Sequence, residues 1–243
     1  VRVAMVKKII LPLPVGCLPV LLSPKRVEVQ DMSQELLLGA SAVLALIYLL
    51  FMTRSEPTLL RSAVKTGSIA LLAVVALPIP LLALALGVSA LGDLALSRNG
   101  ERAFLAGIGA FALAHLAYLT VFLSLEGEAT PAVGWQVAAG IVIACFSSAM
   151  AWLLWSRAGP LRWPVLGYVG IIAVMAISSL LVPAPYARPV IAAAFFFVLS
   201  DSLIATERFL IAAAPAPRWL PPAIWLTYWL AQFFFCVGIA QIL

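Results

Sequence analysis

The chain is built from apolar runs too long and too continuous for a soluble fold to bury. Eight can be marked off, at about 35–52, 63–78, 80–97, 102–124, 132–155, 163–182, 188–211 and 220–242. Each is close to the roughly 20 residues that cross a bilayer as a helix. In hydrocarbon every backbone N–H and C=O needs a partner within the protein, which leaves helices and closed barrels. A barrel would alternate apolar and polar residues over segments of about ten, and these runs do not alternate. Only 10% of the residues are charged, against about 25% in soluble domains. The predicted fold is all-α: a polytopic membrane protein, a bundle of eight transmembrane helices over residues 34–243.

The punctuation fits that reading. Pro131, Pro160, Pro164, Pro183, Pro185, Pro215, Pro217, Pro221 and Pro222 fall between runs or in their first turns, where a missing N–H is tolerated. Basic residues alternate. Arg54, Arg61 and Lys65 mark the first connection, Arg98 and Arg102 the third, Arg157 and Arg162 the fifth, Arg208 and Arg218 the seventh. The fourth carries Glu126 and Glu128 instead, and Arg188 alone breaks the pattern. The positive-inside rule then places the odd connections in the cytoplasm and both termini outside, in the inner (plasma) membrane of a bacterium. The formal charge of +5 is scattered along run ends, so no nucleic-acid partner is expected. Residues 1–33 contain Pro12, Pro14 and Pro19 and put five basic residues on the wrong side. They are expected to be a disordered or spurious tail, with Met32 as a candidate start.

Ionisable groups inside a membrane cost at least about 2.5–3.5 kcal/mol each and usually face a protein interior or a wet cavity. Three stand out. Asp93 lies near the end of the third run and His115, the only histidine, in the fourth; Asp201 lies in the seventh. Ser89, Asp93 and Ser97 share a helix face, as do Phe111, His115, Tyr118 and Phe122, and Tyr228 with Gln232. Lys65 enters the second run, and Ser200 and Ser202 flank Asp201. The expectation is one cavity toward the cytoplasmic half, holding Asp93, Asp201 and His115, with Tyr118, Tyr228 and Gln232 on its wall. The plainer alternatives are an edge pair of Asp93 with Arg98 or Arg102, a pair of Asp201 with Lys65 or Arg208, and a core histidine.

Two buried carboxyls allow a division of labour, one protonated as general acid and the other ionised as general base. A proton-coupled small-solute transporter could use the same groups as a relay, but no inverted repeat or pair of broken spans supports it. A Ser200–His115–Asp hydrolase lacks the GxSxG elbow. One histidine and three scattered cysteines give no metal or disulfide pattern, so no metal and no cofactor is expected. Cys145 and Cys236 read as core residues.

Across these same residues the chain resembles the YhhN family of lysoplasmalogenase-like membrane proteins. The matching pieces are Lys65, LGDLAL at 91–96, Phe104, Gly107, Phe111, His115 and Tyr118, then Tyr168, LSDSLIATERF at 199–209 and TYWLAQ at 227–232. The resemblance runs from about residue 35 to the end. It departs at Thr66, where the family usually has proline, and residues 1–33 have no counterpart. It implies an ether hydrolase that cleaves the vinyl-ether bond of lysoplasmalogens, releasing a fatty aldehyde and a glycerophospho-alcohol. The family's paired aspartates fall on Asp93 and Asp201, with His115 in a lesser catalytic role. Lys65, Tyr118, Tyr168, Ser200, Tyr228 and Gln232 are the implied substrate-binding set, and Lys65 or an arginine would hold the lipid phosphate. The implied partners are a lysophospholipid and membrane lipids.

Overall fold

A computed structural model describes residues 24–127, 133–211 and 216–240. They form eight helices: α1 (Pro24–Ile47), α2 (Leu59–Val75), α3 (Pro80–Leu96), α4 (Glu101–Ser124), α5 (Gly134–Trp155), α6 (Arg162–Ser179), α7 (Ala184–Ala205) and α8 (Leu220–Ala240). Among the described residues there is no strand. Every predicted apolar run contains a helix. α1 starts at Pro24, inside the stretch expected to be tail; the rest of that expectation, residues 1–23, lies outside the described residues.

Among the described residues six helical segments are long and apolar enough to cross a membrane: Met32–Met52, from within α1 through its continuation, then α4, α5, α6, α7 and α8. α2 and α3 have 17 residues each. At about 1.5 Å per residue they fall short of a hydrocarbon layer about 30 Å thick.

The local chemistry sets the helix ends. Thr58 caps α2, its side chain accepting from the Arg61 N–H at 3.1 Å. Pro80 opens α3. The turn into α4 needs Gly100, whose φ of 107° few side chains tolerate. Pro189 sits inside α7, which begins at Ala184. Gly238 of α8 makes room for it: a Cβ there would lie 2.4 Å from the Pro189 Cβ.

α2, α3, α4, α6, α7 and α8 pack in that order as a closed ring, α8 returning to α2. α5 is outside it, lying along α6. The second half of α1 is fastened to the ring by hydrogen bonds. Ser41 Oγ donates to the Ser68 carbonyl at 2.7 Å, and Trp225 Nε1 donates to the Ala45 carbonyl at 2.9 Å. In a bilayer, where lipid tails are as apolar as side chains, such bonds and close backbone approach hold helices together. α3 meets α4 that closely: a Cβ on Gly92 would lie 2.8 Å from the Phe111 ring. Cys236 is buried as expected, but Cys145 is exposed, because α5 turns that face away from the ring.

A carboxylate-lined cavity at one end of the bundle

Inside the ring lies a cavity of about 450 Å³. Its acidic lining is Asp93, Asp201 and Glu207, its basic lining Arg61, Lys65 and Arg208. Tyr48, Trp225 and Tyr228 add aromatic wall. Thr53 after α1, Arg61 near the start of α2, Phe104 near the start of α4 and Pro221 at the start of α8 are also on it. The cavity is therefore at the end of the bundle where the first, third and seventh connections lie. Arg157, at the fifth, is at that end too, its Nη1 donating to the Leu210 carbonyl at 3.4 Å.

Two helices widen into π turns beside it. α1 continues through Tyr48–Met52 and α7 through Thr206–Leu210. Such turns are uncommon and recur at functional sites. Here they bring Tyr48, Glu207 and Arg208 to the cavity.

The two aspartates have different partners. Asp93 is 1% exposed and both its oxygens are engaged: Lys65 Nζ lies 2.9 Å from Oδ1, and the Tyr228 hydroxyl donates to Oδ2 at 2.7 Å. The Lys65 ammonium also lies over the Trp225 and Tyr228 rings, 5.9 and 6.0 Å from their centroids. Asp93 thus makes no edge pair with Arg98 or Arg102; those residues come too late in the turn, and Lys65 reaches it from α2. Asp201 has no ion pair among the described residues. It accepts from the Tyr168 hydroxyl on α6.

The remaining expected residues do not line this cavity. Phe111 and Tyr228 line its inner side and Phe197 packs against both, each pair of rings edge to face at 5.6–6.3 Å. Behind them His115 is fully buried, its ring 4.5 Å from Phe197 and 5.5 Å from Tyr168, with Nδ1 at the Phe111 carbonyl. That Nδ1 contact is the one expected of a core histidine. Tyr118 donates to Gln232, and both are fully buried below the same plug. Ser200 is turned to α8, where its hydroxyl donates to the Ile224 carbonyl at 3.1 Å. The expectation of one cavity for Asp93, Asp201, His115, Tyr118, Tyr228 and Gln232 is corrected to Asp93, Asp201 and Tyr228, with Lys65 added. The reason is Phe197, whose ring stands between the cavity and the deeper polar groups.

Arg61, Trp225, Glu207 and Arg208 were not singled out as site residues from sequence. Arg61 precedes Lys65 by one turn and Trp225 precedes Tyr228 by three residues, so each shares a face with a residue that was. Arg61 Nε is buried with no hydrogen-bond partner, and Arg208 lies over the Phe104 ring at 4.8 Å.

A ring of largely apolar helices around a pocket that holds two carboxyls, one ion-paired and one not, defines a polytopic membrane protein with a carboxyl-lined cavity. The chain belongs to the YhhN family, which matches residues 60–239. It is 31% identical over 189 residues to proteins named lysoplasmalogenase from Mycobacterium bovis and Mycobacterium tuberculosis, covering 74% of this chain and 70% of theirs. No solved structure matches the chain.

Proposed function

We propose that the protein is a membrane-embedded lysoplasmalogenase that cleaves the vinyl-ether bond of a lysophospholipid. The observation that carries this reading is the presence of Asp93 and Asp201 on one cavity with unlike partners. Lys65 Nζ at 2.9 Å makes Asp93 one half of an ion pair. Asp201, with only a neutral hydroxyl beside it, is free to carry a proton. Asp201 is then the general acid and Asp93 the general base.

The reaction follows from that assignment. Asp201 gives its proton to the enol-ether carbon that does not bear oxygen, leaving an oxocarbenium ion. Glycosidases stabilise a similar cation with paired carboxylates. Water adds to the cation and gives a proton to Asp93, forming a hemiacetal. In the collapse, Asp93 protonates the leaving ether oxygen while Asp201 takes the hydroxyl proton. A fatty aldehyde and a glycerophospho-alcohol leave, one water is consumed, and both carboxyls return to their starting states.

Lys65 is occupied by Asp93, so the lipid phosphate falls to Arg61 and Arg208, which sit at the mouth with no carboxylate partner among the described residues. Guanidinium groups suit phosphate oxygens through paired N–H donors.

Purified protein given a lysoplasmalogen is expected to release aldehyde, and to release none from the saturated alkyl-ether analogue, which has no double bond to protonate. Absence of aldehyde from the vinyl ether would sink the reading.

We also propose that all eight helices cross the membrane, α2 and α3 with the bilayer thinned or their ends embedded, and that the cavity mouth faces the cytoplasm. Single cysteines placed near Arg98 and Arg157 in a cysteine-free background are expected to resist a membrane-impermeant thiol reagent in intact cells. One at Glu126 should react. The opposite labelling pattern inverts the orientation.

A further inference from the structure

A second, smaller cavity of about 80 Å³ adjoins the first. Ile108 of α4, Ser147 and Met150 of α5, Val169 of α6 and Ala205 of α7 line it. Leu96, Phe104, Phe111, Asp201 and Ile204 belong to both cavities, so Asp201 is among the residues that stand between the two. Apart from Asp201 the smaller cavity offers little to a polar ligand. The Tyr168 hydroxyl is spent on Asp201, and the Ser202 hydroxyl on the Val198 carbonyl at 2.7 Å. It exists because α5 packs along α6 and makes no extended contact with α4. That leaves a cleft on the lipid side of the ring, where Phe146 is 43% exposed.

We propose that this cleft is the hydrocarbon-chain subsite, entered sideways from the bilayer between α4 and α5. The proposal rests on the hydrolase reading and adds to it the pose of the substrate. The occupant follows from continuity. A lysophospholipid joins one apolar chain to one anionic headgroup through the bond to be broken. Here an apolar slot joins a polar pocket holding Arg61 and Arg208, and Asp201 stands at the junction. With the chain in the slot and the phosphate at the arginines, the vinyl-ether carbons lie beside Asp201. Chain selectivity then resides in α5, a helix that supplies nothing to the polar cavity. Ser147 and Met150 are its deciding residues, since both face the slot and neither touches an aspartate in any recorded bond.

Each buried methylene is worth about fourfold in binding. Ser147→Trp, which fills the slot, should lower the long-chain to short-chain ratio of kcat/KM by about tenfold or more, a loss of roughly two methylene contacts. Met150→Ala, which enlarges it, should move the ratio the other way. Trp152→Ala, on the 77% exposed outer face of α5, should leave the ratio alone. Binding is read separately, without turnover, with a saturated alkyl-ether lysophospholipid carrying a diazirine in its chain. Labelling that excess unlabelled lipid suppresses is expected on peptides containing Phe146–Met150 and Val165–Ile172. Suppressible labelling there without aldehyde release from the vinyl ether would keep the subsite and remove the hydrolase reading. Aldehyde release with unchanged chain ratios in both slot variants, or suppressible labelling only around Leu49–Arg54 and Trp219–Leu226, would keep the hydrolase and overturn the subsite.

Discussion

Asp93→Asn and Asp201→Asn are each expected to lower aldehyde release by about 10²–10⁴-fold, the usual cost of losing a general acid or base, while the protein remains folded. Asparagine keeps the size of the side chain and an oxygen that accepts. The Tyr228 hydroxyl can still donate to residue 93 and the Tyr168 hydroxyl to residue 201. What goes is the exchangeable proton at residue 201 and, at residue 93, the carboxylate that takes a proton and pairs with Lys65, so Asp93→Asn should also lower the thermal midpoint. His115→Gln is the contrast. Its ring is sealed behind Phe197 and has no place on the cavity, so its loss should act through the packing of Phe111 and Tyr168 and cost much less. The measurement is turnover of the purified variants on a lysoplasmalogen, beside their elution profile and helical content. Near-normal turnover by either aspartate variant would remove the two-carboxyl mechanism.

The helices and the meeting of Asp93 and Asp201 on one cavity were legible in the sequence for a simple reason. Length and apolarity mark a span, and a carboxyl placed inside one demands an explanation. What was not legible is which helices are neighbours. α4 packs on α6 and not on α5, and α8 closes against α2; no spacing along the chain encodes that order. The consequence falls on particular residues. The i, i+4 spacing of Phe111 and His115 gave them one face, and they do share it. Phe197, arriving from α7, then divides that face into a cavity side and a buried side. Tyr228 and Gln232 are parted in the same way, Tyr228 reaching Asp93 and Gln232 meeting Tyr118 below. The π turns at Tyr48 and at Glu207–Arg208 have no sequence signature here, since neither contains proline or glycine to announce a change of pitch. The slot beside Asp201 arises from a gap between α4 and α5, and a gap leaves no mark on either helix.

Lys65→Met is the variant that separates two roles for this lysine. Lys65 Nζ lies 2.9 Å from an Asp93 oxygen, and the two side chains are 17% and 1% exposed. Breaking a buried pair by removing one partner costs about 3–5 kcal/mol, because the remaining charge has lost its compensation. Without the ammonium, Asp93 is left either charged at that cost or protonated and unable to serve as a base. Lys65→Met is therefore expected to lower the thermal midpoint in detergent clearly and to lower kcat about as far as Asp93→Asn does, acting through Asp93 and not on the lipid. The double variant Lys65→Met/Asp93→Asn removes both charges together. It should regain most of the lost stability, since an apolar and a neutral side chain replace a pair that was costly to desolvate, and it should regain no activity. If Lys65 instead holds the lipid phosphate, as the sequence alone allowed, the single variant would raise KM, leave kcat near its starting value and shift the midpoint little. Thermal midpoints and the split between KM and kcat for the two single variants and the double decide between these outcomes, and a rise in KM alone would return the phosphate to Lys65.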